Sequence, residues 1–164
     1  MNFKNAMLAT FLLVASTFAR AEQHVISGHW YADDYQFAMS DEWEDVQGTW
    51  GDSRYTLTWD SYTKTLTGNT AGVTQKLEFD TYNQIILGET YCGWFDLSYT
   101  TGTPVTLKGE HCRDRIEKNF SNLEDMMAWI HVNTLTNLVT EFPEPAREPV
   151  LKFLQKTIQP FDNL

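Results

Sequence analysis

The sequence predicts an α+β domain, an antiparallel β meander forming a half-barrel or barrel with a C-terminal helix pair. Three observations carry this expectation. Residues 25–115 are rich in Thr, Tyr, Trp, Val and Ile and punctuated by Gly, Asn and Asp, the composition of short strands joined by tight turns. From Ser121 to about residue 160 the apolar residues recur at helical spacing instead. Prolines at 143, 145, 149 and 160 then divide that tail into two segments.

The chain opens with a segment that reads as an address. Lys4 precedes an apolar run, Ala6 to Val14, and Ala19-Arg20-Ala21 places small residues at both positions that a signal peptidase reads. Residues 1–21 are therefore expected to be a cleaved signal peptide, and residues 22–164 a single secreted or periplasmic domain. The run is too short to span a membrane, so no stable membrane insertion is expected.

In the β-rich part the clearest strand is Arg54 to Asp60, where Tyr55, Leu57 and Trp59 share one face. Val73 to Phe79 is a second, with Val73, Leu77 and Phe79 inward. Further strands are expected at 63–67, 84–87, 90–99 and 104–108, and an earlier one from His29 to Phe37. The joints fall at Asp60-Ser61, Gly68-Asn69, Ala71-Gly72, Asp80 to Asn83 and Thr101-Gly102, short enough for hairpins. Ser121-Asn122-Leu123-Glu124 reads as a capping box with Ser121 as the cap. Leu123, Met126, Met127, Ile130, Leu135, Leu138 and Phe142 follow as one stripe. Pro143 and Pro145 end that helix, and Pro149 suits the first turn of the next. No internal repeat, long linker or low-complexity tract is evident.

Composition bounds the function. Of 164 residues, 42% are hydrophobic, and 12 basic against 22 acidic side chains give a net charge of −10. Loss of Lys4 and Arg20 with the signal would take it to −12. So acidic a surface repels nucleic acid, which is excluded as a partner. The two cysteines, Cys92 and Cys112, are an even pair in an exported chain and read as a disulfide, with two separate buried thiols as the alternative.

Catalytic signatures are missing. His24 and His29 lack metal-ligand spacing, no GxSxG or glycine-rich phosphate loop occurs, and neither metal nor cofactor is expected. Asp33, Asp34, Asp41, Glu42, Glu44 and Asp45 read as a solvated acidic face rather than a calcium loop, which would need alternating ligands and a turn glycine. The most suggestive feature is the aromatic excess of the β-rich half, either a filled core or the lining of a concavity.

Two families resemble parts of this pattern. Gly48-Thr49-Trp50 ahead of a meander looks like the opening motif of lipocalins, which implies a barrel with Trp50 near its base. The run Ser53 to Asp60, then Leu77 to Asp80, Ile85-Ile86 and Cys92, is similar to the half-barrel of ependymin-like and bacterial lipoprotein-carrier-like (LolA-like) proteins. Either resemblance implies an exported β fold enclosing an apolar ligand.

The leading expectation is thus a non-enzymatic protein holding a small apolar or lipid-like ligand in an aromatic-lined concavity. Tyr55, Leu57, Trp59, Phe79 and Trp94 would line it, with Met126, Met127 and Ile130 on a covering helix, methionine being easily repacked. The rival is an acidic interaction module, of inhibitor or immunity type, that meets a basic protein. A third reading, an enzyme using carboxylates such as Asp60 and Asp96, leaves no spacing signature across strands.

Overall fold

The computed structural model describes residues 23–161; the expected signal peptide lies outside them. Ten strands form one antiparallel sheet in strict chain order: β1 (Gln23–Trp30), β2 (Asp33–Ser40), β3 (Asp45–Trp50), β4 (Ser53–Asp60), β5 (Thr65–Thr70), β6 (Val73–Asp80), β7 (Ile85–Thr90), β8 (Gly93–Tyr99), β9 (Val105–His111) and β10 (Asp114–Phe120). The meander curls into a half-barrel and does not close, β1 and β10 forming its two edges. The tail supplies α1 (Leu123–Ile130), a π-helical stretch (His131–Leu135), α2 (Thr136–Leu138) and α3 (Glu144–Thr157).

An internal repeat does exist, contrary to the sequence expectation. Strands β2, β4, β6 and β8 begin at residues 33, 53, 73 and 93, a period of 20 residues that covers one hairpin. Its inward positions carry Tyr35, Tyr55, Gln75 and Phe95, then Phe37, Leu57, Leu77 and Leu97, then Met39, Trp59, Phe79 and Tyr99. Aromatic and aliphatic residues thus line the concave face in three rows, while Thr56, Thr58, Thr67 and Thr74 alternate outward into solvent. The repeat escapes composition because equivalent positions share size and polarity rather than identity.

Gly68-Asn69, expected as a turn, lies inside β5. Gly48, Gly68, Gly88 and Gly109 face inward on alternate strands, and a Cβ at each would press against the backbone oxygen of Gln36, Thr56, Lys76 or Asp96 on the preceding strand. The absence of a side chain lets the sheet bend sharply there, as glycine kinks do in curved sheets. The expected strand from His29 to Phe37 is likewise two strands, split by a turn at Tyr31-Ala32.

The helical layer fills the curl. α1 packs on β9 and β10, and α3 on β1 and β2. The link between them drives Phe142 against Phe37 and Tyr55, with ring centroids at 5.1 and 4.9 Å. The Tyr55 hydroxyl donates to the Glu141 carbonyl at 3.1 Å. Local capping differs from expectation at both helices. Asn122 is the cap of α1, its side chain accepting from the Asp125 N–H at 2.8 Å. In α3 it is Pro145 that occupies the first turn, and Pro149 lies inside the helix, where it removes one backbone donor.

The cysteines form a disulfide. Cys92 and Cys112 sit in two-residue turns one repeat apart, so the bridge ties neighbouring hairpins at the same end of the sheet. Its closed loop of 20 residues contributes on the order of 3 kcal/mol in the chain-entropy account.

Candidate binding rim

Seven of the residues expected to line a ligand site come together on the concave side. Tyr55, Leu57, Trp59, Phe79, Met126, Met127 and Ile130 belong to one apolar cluster, each between 0% and 7% exposed. The protein's own helices occupy that face. Trp94 is the correction: it points outward from β8 and is 65% exposed, while Phe95 takes the inward place. Trp50 is half-buried at the end of β3, its indole N–H donating to the Trp30 carbonyl at 3.4 Å.

The carboxylates named for an enzyme are not a pair. Asp60 ends β4 and Asp96 lies in β8, four strands apart, which is roughly 19 Å at ordinary strand spacing. The acidic residues from Asp33 to Asp45 are distributed over a strand, a turn and the start of the next strand. Among the described residues no group of three potential ligands is placed to hold a metal ion.

What the fold displays is one rim of the half-barrel. At this end the hairpins are joined to their neighbours by four-residue turns at 41–44, 61–64 and 81–84. Each turn is held by the side chain just before it. Ser40 Oγ accepts from the Trp43 N–H, Asp60 Oδ1 from the N–H groups of Tyr62 and Thr63, and Asp80 Oδ1 from that of Asn83. The last turn residues, Glu44, Lys64 and Gln84, take positive φ of 49°, 54° and 59°. Their carbonyls accept from Trp59, Phe79 and Tyr99 at 2.9, 3.0 and 2.9 Å, stitching each turn to the hairpin that follows. The turns are therefore rigid platforms rather than loose loops.

On these platforms stand Trp43, Tyr62 and Tyr82, exposed by 67%, 94% and 92%. Successive turns are two strands apart, about 10 Å at ordinary strand spacing. Beside them, between the first two turns and the end of α3, lies a cleft of about 310 Å³ lined by Asp41, Glu44, Trp59, Ser61, Lys64, Lys156, Thr157 and Gln159. Lys156 pairs with Asp41 at 2.9 Å, and Lys64 donates to the Gln159 carbonyl at 3.3 Å.

The rim also keeps its charge. Hydrogen bonds from Thr63 and Tyr62 hold the Asp60 carboxyl below the usual carboxylate range, and those from the Asn83 side chain and backbone do the same for Asp80. With Asp41, Glu42 and Glu44 in the first turn, the rim is aromatic and anionic together.

Strand alternation does not reach Tyr62 and Tyr82, which lie in the turns between strands. The available signal was their spacing of 20 and the aspartate two residues before each. Comparison of the chain with known protein families, curated proteins and solved structures finds no match.

Proposed function

We propose that this protein is an exported, non-enzymatic binding module whose aromatic, acidic rim captures a basic protein. The observation that carries the reading is the display of Trp43, Tyr62 and Tyr82 on rigid turns at one end of successive hairpins. Tyr and Trp provide large contact area with few rotatable bonds, so ordering them on a partner costs little entropy, and they dominate measured binding hot spots. The net charge of −10 supplies long-range attraction for a basic partner and raises the encounter rate. The disulfide agrees with an oxidising compartment.

Site-specific photo-cross-linking tests this. A benzophenone amino acid at Tyr62 or Tyr82, expressed in the native source, should give a discrete adduct with a basic protein that fades as salt is raised. The same probe at Thr74, outward on β6, should not. Equal adducts from all three positions, or none from the rim, would remove the rim from the account.

A further inference from the structure

Strand β10 is an open edge whose sequence reads Asp114-Arg115-Ile116-Glu117-Lys118-Asn119-Phe120. The turn before it contains two residues, Cys112 and Arg113, and His111 pairs with Asp114 across it. In such a hairpin the residues flanking the turn exchange both backbone hydrogen bonds. Asp114, Ile116, Lys118 and Phe120 therefore direct their backbone groups to β9, and Arg115, Glu117 and Asn119 direct theirs to the free edge. Among the described residues no strand pairs with that edge.

The charges on this strand are self-complementary. We propose that β10 is a homodimer interface, pairing antiparallel with β10 of a second copy about a two-fold axis through Ile116. That register sets Arg115 opposite Glu117 of the other copy, twice, on the convex face. It sets Asp114 opposite Lys118 twice and Ile116 opposite Ile116 on the concave face. Arg115 and Glu117, the residues with edge-directed backbone groups, then form the hydrogen-bonded pairs, so the backbone and charge requirements select the same alignment. Slipping by two residues in either direction brings Arg115 against Arg115 or Glu117 against Glu117, which like-charge repulsion opposes.

The convex-face charges are available for this, while Lys118 on the concave face lies over the Trp129 ring. Neither Arg115 nor Glu117 forms an ion pair within the described residues, and both are exposed. Across β9 they face Glu110 and Lys108, so the dimer would continue an alternation of sign that the monomer begins. Charged edge strands ordinarily discourage pairing. Here the signs discourage only the slipped registers. The other edge, β1, carries no Asp, Glu, Lys or Arg in Gln23–Trp30, so charge selects no register there.

Light scattering coupled to gel filtration tests the proposal on the disulfide-intact protein. The native chain should run as a dimer, and Arg115→Glu and Glu117→Arg should each be monomeric, with circular dichroism showing the fold retained. Mixing the two variants should restore a dimer, since each then meets the opposite sign, and the exchanged double variant R115E/E117R should dimerise alone. A monomeric native chain would overturn the proposal, as would dimers that survive both single reversals, open-ended polymers, or variants that fail to complement when mixed.

Discussion

His111 shows how much one side chain's setting decides. It ends β9 on the concave face, its ring 4.8 Å from that of Phe95 and 5.2 Å from that of Trp129, with Nε2 3.2 Å from the Thr134 hydroxyl. Burial lowers its pKa below the ordinary histidine value, outweighing the opposite pull of Asp114 and a backbone hydrogen bond, with Lys118 adding the least, in the direction of burial. A base with a depressed folded pKa favours its neutral form in the fold. Its contribution is complete above the unfolded value of about 6.5 and is lost as pH falls from there through the folded value. His131, half-buried beside the Ile158 carbonyl, is shifted in the same direction by its burial. Melting temperature should therefore hold steady above about pH 7 and drop as pH falls below about 6.5. His111→Gln should flatten that drop, leaving the His131 share. A drop of equal size in the variant would remove His111 from the explanation. At this scale the sequence is least legible. Ser121 and Asn122 are both competent caps, and only backbone geometry gives the place to Asn122. Trp94 lies on the convex face because the turn at Tyr91-Cys92 pairs Thr90 with Gly93 and hands the inward face to odd-numbered residues of β8.

Elements were more readable, because period is a property of many residues at once. The alternation around Leu57 and the change to helical spacing after Ser121 both correspond to observed structure. Turn chemistry misled where a residue had another task. Gly68-Asn69 has the composition of a turn, yet the glycine serves close approach of β5 to the Thr56 backbone. Gly68→Ala should cost about 1–3 kcal/mol through forced displacement of the strand, whereas Thr67→Ala, outward on the same strand, should stay within about 0.5 kcal/mol. Urea unfolding of the two variants measures both. Equal losses would mean that strand propensity, not curvature, governs the position.

For the whole molecule, the amino-acid pattern announces a curved antiparallel sheet and a helix pair, but not what lies between them. Aromatic abundance on one sheet face is the same whether a ligand or the chain's own helices cover it. The deciding residues are Phe142, Met126 and Ile130, which the helical layer brings into the curl until the face is closed. On the proposed reading, binding falls to the outside, where the turns hold Trp43, Tyr62 and Tyr82 in solvent. Titration with a fluorescent fatty acid, followed by quenching of tryptophan emission, tests this division most directly. No saturable uptake is expected, and Trp59→Leu should lose stability through the void it leaves in a filled core. Saturable, salt-insensitive uptake that Trp59→Leu weakens more than it weakens the fold would contradict it and return the ligand to the concavity.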